Sequence, residues 1–205
     1  MYKSHTELIE PFGIKRTQDS SSEPISLAEA KSFLRVTHNN DDSFITSLIT
    51  ACRQSLEITT RRCLSASQSY EVSYCDFPTS YFKLILPNPP ITTFSSLKYY
   101  NVDGVLTTVD SNSYIHENNG NGVSFLAMLD TYSKPTLHKP RIAPVVASYV
   151  SGYTSSTLPE PLKQAMLLLI AHYYDTREII SYGDIPYKIQ RTVDFISEQY
   201  KIRKF

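Results

Sequence analysis

The chain has 205 residues, of which 41% are hydrophobic and 12% aromatic, and 20 basic residues balance 20 acidic ones. A chain of this length and hydrophobicity can bury a core, which excludes wholesale disorder. The zero net charge argues against a general nucleic-acid coat protein, because such a protein needs a surplus of Lys and Arg to neutralise phosphates.

Helical patterns begin after a polar lead-in, residues 1–24, which we predict to be a flexible N-terminal arm. Ser26 and Glu29 form a capping box, in which the hydroxyl accepts the Glu29 amide and the carboxylate returns the bond to the Ser26 amide. This box predicts a short helix ending near Val36. The acidic stretch 39–42 places a carboxylate to cap free amides, and apolar residues at spacings of three and four then predict an amphipathic helix to about Arg62.

From Ser65 the hydrophobic period changes to two, which predicts strands. The prolines of segment 87–90 break the chain, since proline cannot continue a central strand. Asp103-Gly104 predicts a two-residue hairpin between segments 97–102 and 105–109. A further clean strand is predicted over 145–150.

Helical periodicity returns near Pro159 and Pro161, which suit the first turn of a helix because its amides have no helical partner. A wide apolar stripe follows, before Arg177. The segment 187–205 is predicted to form a last amphipathic helix with Ile189, Val193, Ile196 and Tyr200 on one face.

The three cysteines predict neither a disulfide framework nor a zinc site, because they are odd in number and lack a C-x-x-C pair. Cys52 and Cys63 are interpreted as buried structural thiols. The first 22 residues lack the apolar run of a signal peptide, and no segment approaches a membrane span. We therefore expect a protein made in the cytosol that has no membrane partner.

Motifs for catalysis are missing: there is no P-loop, no dinucleotide fingerprint and no nucleophile elbow. His172 and Asp175 lie three apart on one predicted helix, but a polar helix edge explains them better than a base and its orienting carboxylate. Residues 39–42 lack the spacing of a calcium loop, and segment 120–122 is interpreted as a turn. We predict no catalytic residue, cofactor or metal ligand. An enzyme whose site is assembled from dispersed residues stays open as an alternative.

Several short motifs, taken in order, resemble one family. Residues 23–36 read EPISLAEAKSFLRV and resemble the opening E-P-[VI]-[ST]-L-x-E-A-K…L-R-V of tailed-bacteriophage head–tail connector (adaptor) proteins. Segments 86–91, 150–153 and 158–178 resemble later motifs of that family, so the resemblance spans about residues 23–180. Thr60-Arg61-Arg62 stands where relatives carry T-G-R, and here the glycine is absent.

The resemblance implies an α+β fold: an antiparallel helical bundle with an inserted β-rich lobe and a C-terminal extension. It places the bundle at 25–180, the insertion at about 65–152, and a portal-docking tail at 181–205. It further implies a non-enzymatic virion protein of the neck, at the head–tail interface. The alternative is a head-closure or tail-completion protein of the same assembly.

The implied partners are the portal protein, a stopper or tail-completion protein, and further copies of the chain in a ring, typically of twelve. Genomic DNA would pass through the ring without specific binding, and a near-neutral wall suits sliding DNA. A minor nucleic-acid binder that uses the basic tail is a further alternative, since residues 188–205 carry five basic and two acidic residues.

The C-terminal segment is the expected portal contact. Its apolar stripe, Val193, Ile196 and Tyr200, would face a partner as helix-in-groove recognition requires, or would dock on its own domain. The residues assigned to the contact are Tyr187, Lys188, Arg191, Val193, Phe195, Ile196, Tyr200, Arg203 and Phe205.

Overall fold

The computed structural model describes residues 7–20, 22–78, 82–118, 123–176 and 187–202. The chain divides into two compact units. The β unit comprises residues 1–19, 67–152 and 204–205, and the helical unit comprises residues 20–66 and 153–203. Within the described ranges there are four α-helices and two β-sheets, which confirms the α+β class. No helix in those ranges is both long enough and apolar enough to span a bilayer.

The helical unit is built from α1 (Leu27–Leu34), α2 (Asp42–Thr60), α3 (Glu160–Asp175) and α4 (Tyr187–Tyr200). The apolar stripes that the sequence predicts for these helices meet in one core, because each helix buries its stripe against the others. Fully buried members of this core are Ile25, Ala30, Ile45, Leu64, Leu162, Ala165, Met166 and Ile170.

Two of the three predicted capping bonds are replaced by contacts between helices. The Ser26 hydroxyl accepts the Glu29 amide at 3.2 Å, as predicted. The Glu29 carboxylate does not return the bond and instead pairs with Lys163 on α3 at 2.6 Å. Asp41 precedes α2 without capping it and accepts the Tyr174 hydroxyl at 2.6 Å. Tertiary partners therefore outcompete the local bonds that the sequence predicts for these two carboxylates.

Both early helices end on an arginine with left-handed backbone geometry. Arg35 follows α1 with φ 58°, and Arg61 follows α2 with φ 55°. Arg61 occupies the position of the glycine that the family motif carries, and its conformation is the one for which glycine is favoured. Arg61 therefore ends α2 in a conformation that is strained for a residue with a side chain.

The β unit contains two sheets. The first has the strand order β1 (Glu7–Ile9), β4 (Phe82–Leu86), β8 (Ser124–Met128) and β7 (Tyr114–Asn118). The second has the order β2 (Gly13–Gln18), β3 (Gln68–Tyr74), β9 (Val145–Ser151), β5 (Ile91–Tyr100) and β6 (Leu106–Thr108). The sheets contact each other within this unit, where the Tyr74 hydroxyl donates to the Ile85 carbonyl at 2.6 Å and the Phe94 ring packs on Tyr114.

The expectation of a flexible arm over residues 1–24 is wrong for its described part. β1 pairs in parallel with β4, and β2 pairs antiparallel with β3. The sequence hides β2 because it lies at a sheet edge, where all its residues except Gly13 are exposed and no polar–apolar alternation is required. Pro24, at the end of the same segment, and Ile25, which follows it, are buried in the helical unit.

The predicted hairpin at Asp103-Gly104 is present with a longer loop. β5 ends at Tyr100 and β6 begins at Leu106, so five residues form the turn, and Gly104 adopts φ 76°. The Asn101 side-chain oxygen accepts the amides of Asp103 and Val105, which closes the loop. The two-residue prediction missed this role of asparagine as a side-chain mimic of a turn.

Candidate interaction surfaces

The apolar stripe of α4 packs into the core of its own unit. Val193 is 7% exposed, and the half-buried Ile196 and Tyr200 contact the same core. The sequence left two alternatives for this stripe, a partner's groove and the chain's own domain, and in the structure the stripe packs on its own unit. In this packing the three side chains belong to the core of their own unit.

The end of α4 is also tied to the end of α2. Arg62 donates through Nε to the Tyr200 carbonyl, and its Nη1 lies 3.3 Å from the Tyr153 hydroxyl. The Ile202 amide donates to the Thr60 carbonyl at 2.9 Å. These bonds satisfy carbonyls at two helix ends that would otherwise lack partners. The segment through Ile202 is therefore an integral part of the helical unit rather than an extension of it.

The outer face of α4 carries what remains of the predicted contact. Phe195 is 65% exposed, and Arg191, one helical turn earlier, is exposed on the same side. Tyr187 and Lys188 belong to α4, but their side chains lie outside the described structure, as do Arg203 and Phe205 entirely.

An internal ion network fixes the segment that leads into α1. The Arg53 side chain is 2% exposed and pairs with Glu23 at 2.7 Å and with Glu57 at 2.9 Å. Glu57 also accepts the Leu64 amide at 2.9 Å, and Glu23 accepts the Thr50 hydroxyl at 2.8 Å. The arginine thus connects the chain before α1, the middle of α2 and the turn after α2. Sequence reasoning missed this network, because Glu23 lies 30 residues before Arg53 in the chain.

Side chains that suggest chemistry are held in structural roles. The His172 ring packs against Tyr173, and no hydrogen bond joins His172 to Asp175 in the described ranges. Near residues 39–42, the Lys31 ammonium donates to Asn39 at 2.7 Å and to Asp42 at 2.6 Å. These side-chain oxygens therefore bind an ammonium rather than a metal ion. No cluster of metal-ligating side chains occurs among the described residues. The turn predicted at 120–122 lies outside them.

The structure confirms the prediction that Cys52 and Cys63 are buried. Burial raises the pKa of the Cys52 thiol to about 12. A thiol with so high a pKa is a poor nucleophile at neutral pH. Cys75, for which the sequence makes no prediction, is exposed.

The β unit exposes apolar side chains that sequence reasoning did not single out. Phe12 and Ile14 are 60% and 50% exposed at the β2 edge. Val105 and Leu106 are 58% and 44% exposed on the hairpin at the opposite edge of the same sheet. Edge positions are invisible in sequence, because strand order is a property of the folded sheet.

Residues 24–87 match the model of the phage gp6-like head-tail connector protein family. The match confirms the resemblance carried by the EPISLAEAK segment. No curated protein matches the chain.

Solved structures from gene transfer agent (GTA) particles share the fold over nearly the whole chain. A chain in the neck of the empty GTA particle, computed with C6 symmetry, is 19% identical, with a TM-score of 0.74 and coverage of 95% of this chain and 97% of that one. A chain in the virion of the native particle is 20% identical, with a TM-score of 0.72 and coverage of 94% and 96%. A chain in the neck of the native particle, computed with C12 symmetry, is also 20% identical, with a TM-score of 0.68 and coverage of 95% and 97%.

Proposed function

We propose that the protein is a structural head–tail connector in the neck of a phage-like particle. In this proposal it binds the portal as a ring, extends the DNA channel and offers a docking surface to the stopper or tail. The observation that carries the proposal is the joint agreement of the family match over residues 24–87 with a shared fold along 95% of the chain. The matched family is one of structural connectors, so no catalytic step belongs to the proposal.

The described surfaces support a connector role. Apolar side chains are exposed on both units, among them Phe195 on α4 and Phe12 and Ile14 at the β2 edge, and assembly subunits use such side chains as contacts. The near-neutral charge suits a wall past which DNA slides, since tight phosphate binding would arrest it. The relatives in the GTA neck come from assemblies treated with C6 and C12 symmetry, which favours a ring of copies for this chain as well.

For the portal contact we propose the outer face of α4 together with the residues that follow it. Arg191 and Phe195 lie on this face, and segment 188–205 carries five basic and two acidic residues. Val193, Ile196 and Tyr200 contribute indirectly, because they hold α4 on the bundle and so orient the outer face.

The test is co-assembly of the full-length chain with purified portal rings from the same genome, followed by electron microscopy and sedimentation. The variants Phe195→Ser and Arg191→Glu should keep the native circular dichroism spectrum and reduce portal binding about tenfold or more, as expected at an interface hot spot. The matched control is Ile58→Ser, which removes a side chain that is 79% exposed on α2 and should leave binding unchanged.

Deletion of residues 187–205 is a poor test, since α4 is part of the helical core and its loss would unfold the unit. A chain that never joins portal rings but co-assembles with the tail tube would refute the adaptor role and favour the head-closure or tail-completion alternative.

A further inference from the structure

Among the described strands, the second sheet of the β unit ends in an edge strand on each side. Its outer strands are β2 and β6, and each has one ladder partner among the described strands. An edge strand presents backbone N–H and C=O groups that a strand of another chain can pair with. The two edges belong to different strands, so they form two different surfaces on one molecule.

At the β2 edge, the apolar row on the core-facing side of the sheet extends to a residue that is no longer buried. Ile14 lies opposite Val72, which lies opposite Ala147, which in turn lies opposite Leu97. The last three are fully buried, whereas Ile14 is 50% exposed. Phe12, in the bend just before β2, is 60% exposed, and its amide donates to the Ser73 carbonyl at 2.8 Å. An apolar row of the core is therefore left open at this edge.

The opposite edge of the sheet carries a second apolar patch. Val105 and Leu106 are 58% and 44% exposed, and Val102 in the same turn is 57% exposed. Asp103 stands among them and is exposed. On β2, Lys15 is exposed, whereas Arg16 pairs with Asp19 at 3.3 Å. Lys15 and Asp103 therefore give the two edges exposed charges of opposite sign.

We infer that these two edges meet between neighbouring copies of the chain, with β2 of one copy lying beside the β5–β6 hairpin of the next. The inference rests on the proposed ring, because a ring requires a head-to-tail contact between two different surfaces of each subunit. One copy carries both surfaces, so the contact repeats around the ring. It would cover Phe12 and Ile14 and bring Lys15 close to Asp103.

Symmetric contacts fit the same surfaces less well. Antiparallel pairing of β2 with a second β2 centred on Lys15 would place this ammonium opposite its own copy, and like charges placed opposite each other are destabilising. Pairing of the hairpin with a second hairpin would leave Phe12 and Ile14 uncovered. A second copy in head-to-tail orientation is thus the occupant that both edges favour.

The experiment is disulfide cross-linking in the full chain with Cys75→Ser as background, which removes the exposed thiol and leaves the two buried ones. One preparation carries Ile14→Cys and another carries Leu106→Cys. The mixture, assembled on portal rings and oxidised, should yield a covalent dimer that neither preparation yields alone. A chain carrying both substitutions should yield a ladder of multimers. The matched control replaces Leu106→Cys with Ile58→Cys, whose side chain is 79% exposed in the helical unit, and should give no dimer with Ile14→Cys.

Charge reversal provides a measurement that does not depend on cysteine chemistry. Lys15→Asp and Asp103→Lys should each lower the yield of assembled rings about fivefold, the upper range for an exposed ion pair, and the combined variant should restore it. Restoration separates a direct contact from general destabilisation of either edge.

Several outcomes would overturn the inference. Rings that form on the portal without an Ile14–Leu106 cross-link would refute the edge contact and leave the connector function standing. A dimer formed by Ile14→Cys alone would replace the head-to-tail contact with a symmetric one. Cross-linked multimers that never bind portal would support the edge contact and refute the proposed function. A chain that gives neither rings nor cross-links would refute both.

Discussion

Replacing Arg53 with methionine should destabilise the helical unit by about 3–5 kcal/mol. The side chain is 2% exposed and donates to Glu23 at 2.7 and 3.3 Å and to Glu57 at 2.9 Å. Methionine fills much of the same volume but leaves two carboxylates beside each other, 26% and 10% exposed, without their cation. Removal of one partner from a buried ion pair costs about this much because the remaining charge is uncompensated.

The measurement is urea denaturation monitored by circular dichroism at the helical band. The free energies of unfolding are compared between variants that have the same dependence on urea concentration. Lys31→Met is the control in the same unit, since Lys31 is 15% exposed and its partner Asp42 is 34% exposed. It should cost about 1 kcal/mol or less, as expected for pairs nearer the surface.

A triple variant distinguishes the ion network from side-chain packing. Adding Glu23→Gln and Glu57→Gln to Arg53→Met removes the uncompensated charges while keeping oxygen acceptors for the Thr50 hydroxyl and the Leu64 amide. At least half of the lost free energy should return. A loss below about 1 kcal/mol in Arg53→Met, or no recovery in the triple variant, would refute the argument from buried charge.

Three further predictions concern single residues. Arg61→Gly should raise the free energy of unfolding by about 0.5–1 kcal/mol, because glycine relieves the left-handed strain at φ 55°. Urea denaturation measures this gain, and its absence would show that the arginine is not strained. Tyr74→Phe should cost about 1–2 kcal/mol by removing the bond to Ile85. Burial raises the pKa of Tyr74, so stability should fall as pH rises above 10, and thermal melts should show a weaker fall in the phenylalanine variant. Burial lowers the pKa of His116, so the stability that depends on its neutral ring should be lost as pH falls below 6.5. Melting temperatures measured against pH should show a weaker fall in His116→Gln, and an unchanged profile would contradict this.

The sequence predicts those features whose signals are local. Ser26 caps α1, the apolar spacing places α2 and α3 within a few residues of their bounds, and Asp103-Gly104 marks the hairpin. Each depends on contacts between neighbours in the chain, such as a cap, a helical face or a turn. The ordered set of short motifs, beginning with the EPISLAEAK segment, indicated the connector family, and the family model matches residues 24–87.

Contacts between distant segments were decided only by the tertiary structure. β1 and β2 were missed because their pairing with the distant β4 and β3 defines them, and because β1 is three residues long while β2 exposes polar side chains at a sheet edge. The return bond of Glu29 was wrong because Lys163, far along the chain, competes for the carboxylate.

The C-terminal stripe shows the same division. Its helical period is evident in the sequence, yet an apolar stripe fits a partner's groove or its own core equally well. The bonds from Arg62 to Tyr200 and from Ile202 to Thr60 decide the matter in favour of the core, since they fix the helix end to α2. The sequence by itself thus determined which faces are apolar, and the tertiary structure decided which of them remain exposed for assembly.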